Sequence, residues 1–163
     1  MVVEKSKYEG IYFVSTNKKR LIATENLTPG KKFFDERTFN ENNKEYREFS
    51  PFRSKLSAAI VKKLTFIPLS EGSNVLYLGA SHGYTPSFVS DIIKEKGTLF
   101  CLDFAPRVVR DLFFICEERK NMIPLLANAN KPETYKNRIS QVDVIYQDIA
   151  QKNQVEILIK NLQ

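Results

Sequence analysis

One stretch constrains the fold more than any other: Val75-Leu76-Tyr77-Leu78-Gly79-Ala80-Ser81-His82-Gly83-Tyr84-Thr85-Pro86-Ser87. It is a short apolar run, a glycine-bounded turn and a helix start. The near-continuous apolar Val75, Leu76 and Leu78 suit a parallel strand buried on both faces. Gly79 and Gly83 permit a tight turn and let a ligand approach with no Cβ in the way. Thr85 is placed to cap the following helix and Pro86 to open it, where a missing N–H costs nothing. Phe88, Val89, Ile92 and Ile93 then recur at helical spacing, and Gly97 supplies a stop. A carboxylate about 20 residues past the turn completes the arrangement by which α/β proteins hold an adenosine. Asp103 stands there, closing the apolar run Thr98-Leu99-Phe100-Cys101-Leu102.

Three ligand chemistries compete for this turn. A dinucleotide site wants G-x-G-x-x-G, but the three positions hold Gly79, Ser81 and Tyr84, so close approach of a pyrophosphate is poorly served. The stretch Gly79 to Gly83 also spells the G-x-S-x-G nucleophile elbow. That mechanism needs a general-base histidine elsewhere, and His82, the only histidine, lies inside the turn. The nucleoside pocket of an S-adenosylmethionine-dependent methyltransferase needs one or two glycines and an acid for the ribose, and it is the reading favoured. A βαβ crossover with no ligand has the same local pattern.

The 163 residues suffice for one ordinary domain with a small appendage, and 42% hydrophobic with 27% charged residues is a globular balance. No apolar run reaches the ~18 residues of a membrane span. The start, Met1-Val2-Val3-Glu4-Lys5, lacks a signal-peptide pattern, so a cytoplasmic protein with no membrane partner is expected. Cys101 and Cys116 lack metal-ligand spacing; both are expected to pack as small apolar side chains, and no metal is expected. The net charge of +6 points toward an anionic partner. Lys18, Lys19, Arg20, Lys31, Lys32, Lys44, Arg47, Arg53 and Lys55 crowd the first third of the chain. Tyr12, Phe13, Phe33, Phe34, Tyr46 and Phe49 are interleaved. Such a mixture suits a nucleic-acid surface and equally a solvated, Lys-rich β domain.

Punctuation sets the organisation. Short strands are expected at Gly10 to Val14 and Lys19 to Thr24, with turns at Thr28-Pro29-Gly30 and Asn40 to Asn43. A helix is expected from Pro51 to Leu64. Strands at Val75 to Leu78, Thr98 to Asp103, Met122 to Leu126 and Val142 to Tyr146 then alternate with helices. Of these, the one over Pro106 to Glu118 is expected to bury Val108, Val109, Leu112, Phe113 and Cys116. The last, from about Asn153, carries Val155, Leu158, Ile159 and Leu162. Two domains follow: a small β domain over 1–50 and a Rossmann-like α/β domain with a mostly parallel sheet over 51–163.

Further segments make the chain recognisable: Asn26-Leu27-Thr28-Pro29-Gly30, Pro51-Phe52-Arg53-Ser54-Lys55-Leu56, Ala105-Pro106-Arg107, Ala129-Asn130-Lys131-Pro132 and Asp143 to Gln151, running on from Gln154 to Asn161. Together with Val75 to Ser87 they resemble, in the right order, archaeal fibrillarin, the 2′-O-methyltransferase family of box C/D small ribonucleoproteins. The resemblance implies the S-adenosylmethionine-dependent methyltransferase fold and that cofactor. It places Gly79, Ala80, Tyr84 and Thr85 at the cofactor turn and Asp103 and Phe104 at the ribose and adenine. Asn128 and Ala129 fall at the adenine edge, and Asp148, Ile149, Ala150 and Gln151 beside the methionine end. Asp103 stands where the family usually has Glu, and Asn128 where it usually has Asp.

The resemblance also implies partners: a Nop-family scaffold protein, a box C/D guide RNA with its rRNA or tRNA target, and a kink-turn-binding ribosomal-type protein. Asp148, at the fourth strand's end, and Lys55, matching the family's first active-site lysine, are the candidate catalytic pair. Asp148-Ile149-Ala150-Gln151 lacks the Pro-Pro-aromatic run that stacks on planar nitrogens in amino-group methyltransferases, which suits a ribose hydroxyl. The family continues with further strands, a hairpin and a second active-site lysine. A missing or separately supplied C-terminal segment is therefore expected, and the rival reading is a non-catalytic assembly subunit.

Overall fold

The computed structural model describes residues 1–17 and 19–163. Two sheets form. The first is antiparallel, from β1 (Val2–Lys5), β2 (Ile11–Ser15), β3 (Arg20–Glu25), β4 (Thr38–Glu41) and β5 (Lys44–Glu48), in the order β1-β2-β3-β5-β4. Short strands are expected from Tyr8 to about Phe49, and of the five formed only β2 and β3 have bounds foreseen from the sequence. The β4–β5 hairpin turns through Asn42 and Asn43, both with positive φ (51° and 61°), the two-residue turn whose twist matches the strands.

Next come α1 (Lys55–Val61), β6 (Asn74–Leu78), α2 (Tyr84–Ile93), β7 (Thr98–Asp103), α3 (Pro106–Glu118), β8 (Met122–Leu126), β9 (Val144–Gln147) and α4 (Gln154–Asn161). Their four strands are all parallel, in the order β8-β7-β6-β9. This is the Rossmann-like arrangement expected. The order reverses between β6 and β9, and it is outside the carboxyl ends of such a pair that open α/β sheets bind ligands.

The parallel sheet is packed on both faces. Val75, Tyr77, Leu99 and Cys101 meet Phe88, Val89 and Ile92 of α2 and Leu112, Ile115 and Cys116 of α3. This core continues into the antiparallel sheet through Ile11, Ile22 and Phe49, and the Phe49 and Phe88 rings stack 4.5 Å apart. On the other face Leu76, Leu78, Phe100 and Leu102 meet Tyr135 and Ile157 of α4. Among the described residues no helix is long and apolar enough to cross a membrane.

Several local expectations are corrected. The α1 helix is shorter than 51–64: Ser54 caps it, accepting from the Ser57 amide, because Ser50 to Arg53 form a turn of their own. Helix α2 starts at Tyr84 with Gly83 as its left-handed cap (φ 88°), so Thr85 and Pro86 lie inside its first turn. It ends at Lys94 (φ 59°), and Gly97 serves instead where a Cβ would strike Ile93, at 2.9 Å. On α3, Phe113 points outward and Ile115 inward; on α4, Ile157 is buried while Val155, Ile159 and Leu162 are exposed.

Part of the basic cluster is engaged in ion pairs at half-exposed surface positions, Arg20 with Glu4, Lys31 with Glu118 and Lys44 with Glu25. Tyr46 and Phe49 are core residues, and Phe33 and Phe34 pack against that core. Lys18 lies outside the described residues. Arg47, expected among surface cations, is fully buried. Its guanidinium donates to Glu36 (2.7 Å) and to Asp91 of α2 (3.0 Å), and Arg119 donates to the other Asp91 oxygen (2.7 Å). The Thr24 hydroxyl and Leu27 amide complete the shell of Asp91, at 2.7 and 3.0 Å. Burial alone would push the Asp91 carboxyl up, but Arg119 and Arg47 outweigh it and hold it below the usual carboxylate range.

Breaking a buried pair strands the remaining charges. Asp91→Ala is expected to lower the unfolding free energy by about 3–5 kcal/mol, read from the urea midpoint. A loss under ~1 kcal/mol would show that the two arginines find other partners.

Candidate functional site

The turn 79–83 lies at the carboxyl end of β6, where the sheet order reverses. Gly79 has φ 85°, and a Cβ there would strike the Asp148 carbonyl and come within 2.9 Å of the Ile149 side chain. Only glycine allows the ends of β6 and β9 to come this close. The Asp148 amide donates to the Leu78 carbonyl at 2.8 Å, and the Gly79 and Ala80 amides to the Leu102 carbonyl at 2.9 and 3.0 Å. Asp103 ties the turn from the side: one carboxylate oxygen accepts from the Ser81 amide (3.0 Å), the other from the Ala105 amide (3.1 Å).

Two cavities flank this turn and share Gly79, Ser81 and Asp148. The smaller, about 290 Å³, is lined by Asp103, Phe104, Ala129, Ile149, Ala150 and Gln151 as well. The larger, about 700 Å³, adds Lys55, Arg53, Tyr77, Ala80, Tyr84 and Thr85. Gly83 lines neither, since a Cβ there would meet Leu112 and Ile115 of the core, and of the residues that the family resemblance places at the site Asn128 alone lines neither. Its side-chain oxygen accepts from the Asn130 amide at 2.9 Å, so it shapes the turn leading to Ala129.

Tyr84 and Thr85 do more than face a ligand. The Tyr84 ring packs between Phe34 and Phe88, centroids 5.2 and 5.1 Å away, and its hydroxyl accepts from the Ser50 amide at 3.2 Å. The Thr85 hydroxyl donates to that of Ser54 at 3.0 Å. These bonds bring the segment preceding α1 onto the glycine turn, and with it Lys55, whose ammonium pairs with Asp148. The lysine side chain is 80% exposed and the carboxylate 21%, so the cation can leave the pair for a substrate while the acid stays fixed.

Nothing read from the sequence gave Tyr77 or Tyr146 a role of its own. Their rings meet 4.6 Å apart beneath Asp148. Burial, each other and the Asp148 charge push the Tyr77 phenol well above its usual range; burial and Asp148 push that of Tyr146 up to about 12. The parallel register of β6 on β9 sets Tyr77 beside Tyr146, and only the alternation that puts Tyr146 on the same side of its strand as Asp148 is legible in the sequence.

The arrangement is a two-chambered ligand cleft at the sheet's switch point. The fibrillarin family model matches residues 2–163. The chain belongs to the fibrillarin family. The fibrillarin-like rRNA/tRNA 2′-O-methyltransferase of Methanopyrus kandleri is 49% identical over 156 residues, 95% of this chain and 67% of that protein. The structure of Aeropyrum pernix fibrillarin with natively bound S-adenosyl-L-methionine superposes with a TM-score of 0.96 at 41% identity, covering 99% of this chain and 71% of that one. A fibrillarin/Nop5p complex gives 0.82 at 36% identity, covering 96% and 69%.

The raised phenols have a pH consequence. Folded Tyr146 keeps its proton to about pH 12, whereas an unfolded tyrosine loses it near ~10. Its contribution to stability is therefore complete below ~pH 10 and is lost as pH rises toward 12. The urea midpoint is expected to fall across that window, and less steeply in Tyr146→Phe. Parallel slopes for the two proteins would contradict the assignment.

Proposed function

We propose that this chain is an S-adenosylmethionine-dependent RNA 2′-O-ribose methyltransferase that acts on rRNA or tRNA within a box C/D guide-RNA ribonucleoprotein. The Lys55–Asp148 pair at the meeting point of the two cavities carries the proposal. Support comes from the M. kandleri relative and from the S-adenosylmethionine-bound structure.

The residues fit the cofactor. Asp103 and Phe104 offer an acid and an aromatic face for ribose and adenine in the smaller cavity, and Gly79, Ser81 and Asp148 border the larger one as well. When bound, S-adenosylmethionine supplies a methyl group on a sulfonium centre. Asp148 has one oxygen engaged by Lys55, leaving the other, among the described residues, to accept from a 2′-hydroxyl. It orients that hydroxyl and takes its proton as the oxygen becomes nucleophilic. The Lys55 ammonium stabilises the negative charge that gathers there. A ribose is not planar, so the cleft needs no aromatic clamp at this point.

The fibrillarin/Nop5p neighbour supports a Nop-family scaffold as partner. Guide RNA, target RNA, a kink-turn-binding ribosomal-type protein and a cytoplasmic setting complete the reading. Guide pairing selects the nucleotide, so the chain needs no sequence-reading module of its own.

The test is methyl transfer in the reconstituted particle, with cofactor binding followed by calorimetry and NAD as control. Asp148→Asn is expected to lower kcat by about 10²-fold or more. Lys55→Ala should also slow transfer while leaving cofactor affinity within a few-fold, because the Lys55 side chain is 80% exposed and its ammonium is turned to Asp148. Full activity in Asp148→Asn, or selective binding of NAD, would overturn the proposal.

A further inference from the structure

Two loops that line the smaller cavity are tied to one helix. Ala129 comes from the loop after β8; Ile149, Ala150 and Gln151 come from the loop after β9, which leads directly into α4. The last turn of α4 returns to the first of these loops. The Asn161 side-chain amide donates to the Ala129 carbonyl at 2.9 Å and to the Ile157 carbonyl of its own helix at 2.8 Å. Its oxygen accepts from the Tyr135 hydroxyl. Beside it, the Lys160 ammonium donates to the Asn130 side-chain oxygen at 2.8 Å.

An amide with both N–H groups committed to carbonyls has one orientation. Tyr135 is 1% exposed, and burial pushes its phenol up to about 12, so it keeps the proton that it donates to Asn161. Ala129 is itself buried, so its carbonyl has little water to turn to without Asn161. The Tyr135 hydroxyl lies 3.4 Å from that carbonyl, too far to take over the bond. One helix therefore carries one cavity loop at its start and grips the other at its end. A pocket for a flat base needs such support, because its walls must hold their spacing to about 0.5 Å.

We propose that Asn161 is a positioning residue for the cofactor: it clamps Ala129 to the end of α4 and so fixes the width of the adenosine pocket. This rests on the S-adenosylmethionine reading above. Asn161 does not line the cavity, so it acts through Ala129.

Calorimetry and kinetics test it. Asn161→Asp keeps the shape and the acceptor but loses the donors. It and Asn161→Ala are expected to raise the Kd for S-adenosylmethionine about tenfold. 5′-Methylthioadenosine, which lacks the amino-acid end, should lose the same factor. In the reconstituted particle KM for the cofactor should rise likewise, with kcat at saturating cofactor within about twofold of wild type. Ile157→Val, a change in the buried face of the same helix, is expected to lower the urea midpoint and leave Kd unchanged.

An unchanged Kd in Asn161→Asp would overturn the proposal. So would an equal rise in Ile157→Val, which describes a loosened helix, or full affinity for 5′-methylthioadenosine, which puts the effect at the methionine end. If the wild-type chain binds no S-adenosylmethionine, the functional reading fails. Amide exchange in the ligand-free protein then decides the clamp by itself. The Lys131 and Tyr135 amides, bonded to the Asn128 and Pro132 carbonyls, should exchange faster in Asn161→Asp than in wild type. Equal rates would show that Asn161 does not hold the loop.

Discussion

One buried carboxylate holds the two sheets in register. Asp91 sits in the third turn of α2 and accepts from Arg47 of β5, Arg119 beyond α3, Thr24 of β3 and the Leu27 amide. With Glu36 on the other side of Arg47 the group has two positive and two negative charges, so it is neutral as a whole. A buried ion group stabilises little relative to an apolar core of the same shape, since desolvation consumes much of the attraction. What it supplies is direction: each hydrogen bond fixes one element against another, which apolar packing between Phe49 and Phe88 leaves free to slide.

That constraint reaches the cleft through α2. The body of the helix is fixed by Asp91, and its first turn is fixed by Tyr84 and Thr85 bonding to Ser50 and Ser54. The segment from β5 to α1 is thus held at Arg47 and again at Ser54, and Lys55 follows directly. Asp148 comes from the opposite side, at the end of β9, held by its amide on Leu78. The Lys55–Asp148 pair is assembled from elements separated by more than ninety residues of chain. Its geometry depends on the antiparallel sheet as much as on the parallel one.

Much of this is visible in sequence because it is local. Val75 to Ser87 shows a strand, a turn and a helix in thirteen residues, and Asp103 follows at the spacing a crossover dictates. Less visible is anything whose meaning comes from a distant partner. Lys44, Glu45, Tyr46, Arg47 and Glu48 show no plain apolar alternation, and they form a strand in which Tyr46 and Arg47 are buried against other elements. Arg47 looked like a surface cation because nothing nearby in sequence announces Glu36 and Asp91 as its partners. Thr85 looked like a cap, yet the left-handed Gly83 takes that position and frees the threonine hydroxyl to reach Ser54.

Asp103 shows how a short side chain can fill two roles. Its oxygens each accept one amide, from Ser81 and Ala105, so the carboxylate braces the glycine turn against the start of α3. A carboxylate oxygen has two lone pairs, so each retains one for a hydroxyl in the smaller cavity. A Glu at this position would carry its carboxylate one methylene farther, out of line with both amides. The Asp favours a braced turn over reach. The acid that would read the ribose is thereby also the group that keeps Ser81 in its left-handed conformation (φ 51°). A ligand hydroxyl arriving at Asp103 would find an acceptor already oriented by two donors, with no side-chain freedom left to lose on binding.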